Sequence, residues 1–168
     1  MYNSRPRVYY ATPIRGRLGR KATLQHMAEN CTRAKHNLTV LQTMYPEIEW
    51  ISVAPYDRII QKLLARKQVK IEDVLQADFE VGDECDGLLA HLWEPSGGAN
   101  QEFKRQIARG KICTRLRPRE WQIWLMTDIS VLSNFVNKVM NRDIYRSDTP
   151  GRVEDEEISE QEIKDQCI

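Results

Sequence analysis

Residues 87–103 read GLLAHLWEPSGGANQEF. The first seven form a short, nearly continuous apolar run, as expected of a strand buried on both faces of a sheet. From Ala99 to Arg109 the chain turns polar, with apolar residues at helical spacing. Between them lies EPSGG, where a serine and two glycines interrupt both patterns. A buried strand, a tight turn and a helix make the βα unit of a parallel sheet, and that reading sets the fold class.

Working outward, the same alternation recurs. Arg7–Thr12 (RVYYAT) is β-branched and aromatic, then broken by Pro13 and Gly16, which gives strand one and a loop. Lys21 to Tyr45 carries apolar residues at Leu24, Met27, Ala28, Cys31, Ala34, Leu38, Leu41 and Met44, a helix ended by Pro46. Glu49–Ala54 predicts a second strand. Asp57–Ala65, opened by an aspartate able to cap it, predicts a helix, and Ile71–Val81 another. Lys111–Leu116 predicts a strand after the Ala99–Arg109 helix. Trp121–Leu125 follows, and Val131–Met140 closes the body as an amphipathic helix. The fold class is α/β: a Rossmann-like sandwich of about five mainly parallel strands flanked by helices.

The composition excludes several classes. At 168 residues, 41% hydrophobic and 29% charged, the chain suits one globular domain. Its longest apolar stretches fall far short of the ~20 residues of a membrane helix. The N-terminal MYNSRPRVYY has no signal-peptide apolar region, so a cytoplasmic location is expected. Four scattered cysteines, Cys31, Cys85, Cys113 and Cys167, lack CxxC spacing and are read as free thiols. Residues 143–168 hold nine acidic and three basic side chains, leaving +7 on the first 142. The chain therefore divides into a folded body, 1–142, and an acidic tail read as disordered. The mildly basic body suits a phosphorylated small molecule and is too diffusely charged to argue for a nucleic-acid polymer.

In parallel sheets, ligands bind outside the carboxyl ends of the strands. Two loops leave those ends with distinctive chemistry: TPIRGRLGR after strand one and EPSGGANQE after Trp93. Ser96 stands where a helix N-cap belongs, and the amides after it have no intrahelical partner. With the helix dipole they form an anion seat, over which Arg15 could close. Gly97 and Gly98 permit close approach of a ligand to the main chain. The turn is neither a Walker A loop nor GxGxxG, and an S-G-G turn opening a helix can be no more than a tight turn. Glu102 weighs against that. It is too far from Ser96 for a capping box, and a carboxylate beside an anion seat is electrostatically unfavourable unless it does chemistry. Other acidic residues abound between Asp73 and Asp86, and position alone does not single out Asp78.

These residues resemble the nucleoside 2-deoxyribosyltransferase superfamily, most closely its 2′-deoxynucleoside 5′-monophosphate N-glycosidase branch. YYATPIRG (Tyr9–Gly16) is similar to that branch's Y-x-x-x-S-I-R-G. PSGGANQE (Pro95–Glu102) matches its P-S-x-G-x-x-x-E, and Asp78 precedes Asp86 by the family's eight residues. KICTRLRP and WQIW are weaker echoes, and the likeness spans residues 7–140.

The resemblance implies that Glu102 is the nucleophile attacking C1′, that Asp78 handles protons at the departing base, and that Tyr9 orients Glu102 beneath the sugar. It further implies that Ile14, Arg15, Gly16, Ser96 and Gly98 hold the 5′-phosphate, with no cofactor and no metal, in a homodimer acting on a small-molecule nucleotide. The transferases of the superfamily place an aspartate where this chain has Ser96; a serine suits a phosphate and favours the monophosphate hydrolase. The chain departs from the pattern at Pro13, which replaces a serine. It also departs between Pro118 and Trp121, which lack a loop whose serine completes the neighbouring subunit's site. Residues 55–71 carry no match, and base selectivity is expected there.

Two further enzymes fit less well: a base-exchanging deoxyribosyltransferase, and a cytokinin-activating type of phosphoribohydrolase, whose P-G-G-x-G-T-x-x-E loop is only loosely similar. A non-catalytic nucleotide-binding module, with Glu102 structural, is the remaining alternative. His26, His36 and His91 suggest no metal, and His91 reads as a core histidine. Trp93, Trp121 and Trp124 read as core or interface, with stacking of Trp93 on a base as the other option.

Overall fold

The computed structural model describes residues 5–54, 57–118 and 126–142. Four strands, β1 (Arg7–Ala11), β2 (Glu49–Ile51), β3 (Gly87–His91) and β4 (Ile112–Leu116), form one all-parallel sheet in the order β2-β1-β3-β4. Among the described residues five α-helices accompany them: α1 (Leu24–Met44), α2 (Asp57–Ala65), α3 (Ile71–Asp83), α4 (Gly97–Ala108) and α5 (Met126–Met140). The expected α/β architecture is present, with four strands among the described residues. The stretch at 121–125 and the tail at 143–168 lie outside them.

Register follows from side-chain alternation. Val8, Tyr9, Tyr10 and Ala11 pair with Gly87, Leu88, Leu89 and Ala90. Because successive residues point to opposite faces, each central strand feeds two cores. Val8, Tyr10 and Leu89 pack against Leu41 of α1 and against Leu132, Phe135, Val136 and Val139 of α5. Tyr9, Ala11, Leu88 and Ala90 pack with Ala99 and Phe103 of α4 and with Cys85. All five residues of β3 are buried, as its uninterrupted apolar run requires.

Helix starts follow capping chemistry. The Thr23 hydroxyl accepts from the His26 amide at 3.1 Å and opens α1. The Lys21 end of the expected helix belongs instead to a 3-10 helix, Gly16–Lys21, kinked at Gly19. Ser96 caps α4 through the Ala99 amide at 3.3 Å, so α4 begins at Gly97, two residues before the expected start. Helix α5 begins at Met126, five residues early. Strands β1, β2 and β3 stop short of Thr12, Ala54 and Trp93 respectively.

His91 is enclosed, with Nδ1 2.7 Å from the Tyr10 hydroxyl and Trp93 edge-on at 5.0 Å. Burial pushes its pKa down to about 3, so the ring is neutral. Cys31, Cys85 and Cys113 are in no disulfide, and burial raises the thiols of Cys85 and Cys113 to about 11 and about 12. Among the described residues no helix is long and apolar enough to cross a membrane.

Two stability outcomes are expected. A Cβ at Gly87 would meet the Ile112 carbonyl oxygen at 2.6 Å and Val139 at 3.3 Å. Gly87→Ala should therefore cost about 1–3 kcal/mol in urea unfolding. Between pH 6.5 and about 3 the unfolded chain binds a proton at His91 that the folded chain refuses. Stability should fall as pH drops through that window, and His91→Phe should flatten the loss.

Candidate active site

Strands β1 and β3 are neighbours, yet the helices after them cover opposite faces: α1 packs with Val8 and Tyr10, α4 with Tyr9 and Ala11. The chain diverges above the two strand ends, and a cleft opens there. Its volume is ≈ 470 Å³. Tyr9, Ile14, Arg15, Gly16, Asp78, Ser96, Gly98 and Glu102 all line it. The eight residues singled out from the sequence thus converge on one cavity, from β1, the loop after it, α3 and the start of α4.

Glu102 lies in the second turn of α4, on the side facing the sheet, and is 7% exposed. The Tyr9 hydroxyl donates to its Oε1 at 3.2 Å. Burial, then repulsion from Asp78, raises its pKa to about 8, against a smaller opposing effect of the Tyr9 hydrogen bond. Burial, the Glu102 charge and Asp78 likewise push the Tyr9 phenol well above its ordinary value, so it remains a donor. Asp78 reaches the pair from α3. The other acidic residues nearby are accounted for differently: Asp83 is gripped by Arg105 at 2.7 Å, and Asp86 by the Arg7 amide at 2.9 Å and Arg142 at 3.3 Å. The Arg105 hydrogen bond is the main reason Asp83 is lowered to about 2.

At the other end, Ser96 spends its acceptor on the Ala99 amide, leaving its hydroxyl proton available to a ligand. The Gly98 amide has no intrahelical partner, and a Cβ there would meet nothing closer than Leu75 at 3.9 Å. Six residues of helix separate Ser96 from Glu102, about 9 Å at 1.5 Å per residue. That is a span fit for one sugar 5-phosphate between the anion seat and the carboxyl pair. Val53, Ile71, Val74 and Leu75 add an apolar wall, and Glu72, Gln101 and Arg20 complete the rim.

Sequence reasoning missed what holds the two lips together. Glu94, its side chain 11% exposed, lies 3.0 Å from His26 Nε2 and 4.0 Å from Arg17, and accepts from Asn30. Asn30 is fully buried, donates to the Ile14 carbonyl at 3.1 Å and accepts from the Trp93 indole at 3.1 Å. Trp93 is therefore turned toward α1 and does not line the cleft. Gly16, at φ +57°, makes room for Glu94: a Cβ would fall 1.8 Å from its Oε1. The available signal was a polar Asn30 interleaved with the apolar stripe of α1, next to Met27 and Cys31. Among the described residues no cluster of His, Cys, Asp and Glu could hold a metal.

Comparison of the chain with protein-family models, with curated proteins and with solved structures gave no match in any of the three.

The raised Glu102 pKa has a thermodynamic sign. Folding holds a proton on Glu102 that the unfolded chain releases near pH 4.5, so stability should decline as pH rises from about 4.5 toward 8. Glu102→Gln keeps the shape and removes the buried charge. Its melting temperature should exceed wild type above neutral pH, and the gap should close near pH 4.

Proposed function

We propose that the protein is an N-glycosidase that hydrolyses a nucleoside or deoxynucleoside 5′-monophosphate to free base and sugar 5-phosphate. The observation carrying this reading is the pairing, in one cleft, of a buried carboxyl under a tyrosine hydroxyl with a helix-start anion seat about 9 Å away. The motif likeness to the nucleoside 2-deoxyribosyltransferase superfamily rests on the same residues. In this account Ser96, Gly98, Ile14, Arg15 and Gly16 seat the phosphate. The Glu102 carboxylate attacks C1′ as the C–N bond breaks through an oxocarbenium-like transition state. Asp78 delivers a proton to the departing base, and water then opens the glycosyl ester. Tyr9 fixes the Glu102 oxygen from which the attack begins. The activity would be intracellular, with a homodimer as the working unit.

The reaction requires one carboxyl protonated and the other ionised, and a close pair that shares a proton does this naturally. Burial favours the proton on Glu102. That observation supports a second assignment, with Glu102 as the acid and Asp78 as the base or nucleophile.

Incubation with nucleoside 5′-monophosphates, followed by chromatography of free base, tests the reading. Glu102→Ala should lose about a thousandfold or more, Asp78→Asn about 10²–10⁴-fold, and Glu80→Ala, outside the cleft, nothing. Release of no base from any monophosphate would refute hydrolysis, and exchange onto an added free base would mark a transferase. The pH profile separates the two assignments. If Glu102 attacks, kcat/KM should climb with pH and level off above about 8; if Glu102 is the acid, it should fall there.

A further inference from the structure

Three arginines, Arg15, Arg17 and Arg20, fall within six residues of the loop after β1. The structure treats them differently. Arg17 Nε faces Glu94 at 4.0 Å and is absent from the cleft wall. Arg15 and Arg20 both line the cleft, and neither forms an ion pair among the described residues. What brings Arg20 round is Gly19. Its φ of 49° and ψ of −122° break the 3-10 helix, a backbone state closed to residues with a Cβ. Gly19 itself joins the lining beside Arg20.

The geometry points to Arg20 as a second phosphate-binding cation that sets the substrate class as a nucleotide carrying a dianionic terminal phosphate. This rests on the nucleotide reading of the cleft and deepens it. The cleft otherwise holds three carboxyls, Glu72, Asp78 and Glu102, of which burial favours the protonated form of Glu102, and one arginine; an anion entering it would meet net repulsion. A phosphate monoester with a second pKa of about 6 carries nearly two charges at neutral pH. A single guanidinium balances half of that. Two guanidiniums on one loop, together with the Ser96 hydroxyl and the Gly98 amide, balance all of it and offer donors from two sides. Pro13 supplies neither a hydroxyl nor an amide proton to the cradle, and the cation from Arg20 fills that deficit. Glu94 engages Arg17 and His26, and among the described residues no ion pair holds either cleft arginine.

Equilibrium titration of the full chain, silenced by Glu102→Gln, tests this with three probes: a nucleoside 5′-monophosphate, the matching nucleoside, and inorganic phosphate. Adding Arg20→Ala should weaken the monophosphate and phosphate by about tenfold or more and leave the nucleoside unchanged. Arg20→Lys should recover part of the loss, and Lys104→Ala, on the outer face of α4, should change nothing. Monophosphate affinity should also drop below about pH 6 as the phosphate takes up its second proton, and Arg20→Ala should blunt that drop. Arg20→Ala that binds the monophosphate as the parent does, or that weakens nucleoside and monophosphate equally, overturns the proposal while the nucleotide reading stands. A parent that binds neither monophosphate nor phosphate overturns both. Tight, Arg20-dependent binding in a wild-type chain that releases no base upholds Arg20 and refutes hydrolysis.

Discussion

The divergence of the chain above β1 and β3 is the constraint on which the rest depends. The strand order reverses between β1 and β3, and the helices that follow them, α1 and α4, take opposite faces. The gap between the two exits is walled by the loop after β1, the start of α4 and the front of α3. Arg15 and Arg20 on one lip and Ser96 and Gly98 on the other follow the ends of β1 and β3, while α3 and α4 bring Asp78 and Glu102. The floor is Tyr9, a central-strand residue whose hydroxyl meets Glu102 and whose ring is core.

Such a site opposes the stability of the fold that makes it. Glu102 is buried beside a second carboxyl, and its raised pKa measures how unwelcome its charge is. Compensation comes from groups that take no part in the chemistry. Asn30 satisfies a carbonyl, a carboxylate and an indole at once from inside α1. Asp83 ties α3 to α4 through Arg105, Arg109 and Gln106, holding the two helices that carry Asp78 and Glu102 side by side. Hydrogen-bonded polar groups of this kind give rigidity where the buried carboxyl pair withdraws it.

The βα unit at 87–103 was legible because a continuous apolar run, a serine cap and a helical period each have one physical reading, and they agreed. Strand ends were not. Thr12, Ser52–Ala54 and Leu92–Trp93 continue the apolar or β-branched pattern, yet they leave the sheet to form loop walls; composition reports burial, and loops at strand ends are also buried. Glu102 stood out through its spacing from Ser96. Asp78 needed the resemblance, since its neighbours are equally acidic and only the packing of α3 on α4 turns it, rather than Asp83, into the cleft. Arg15 was legible in the IRGRLGR loop, but Arg17 and Arg20 could not be told apart. Which one faces the ligand is decided by Glu94, 74 positions or more along the chain, and by the backbone of Gly19.

Glu94 and Asn30 join both lips of the cleft to α1, so those lips form a single stiff jaw. A bound molecule that pulls on one lip pulls on the other and on the 21-residue helix behind them. Whatever breathing admits a ligand must come from the opposing side, where Ile71, Val74 and Leu75 at the front of α3 follow a segment with no comparable anchor among the described residues. The selective pressure of ligand shape would then fall on that apolar wall, and the anionic end of the ligand would meet a fixed surface.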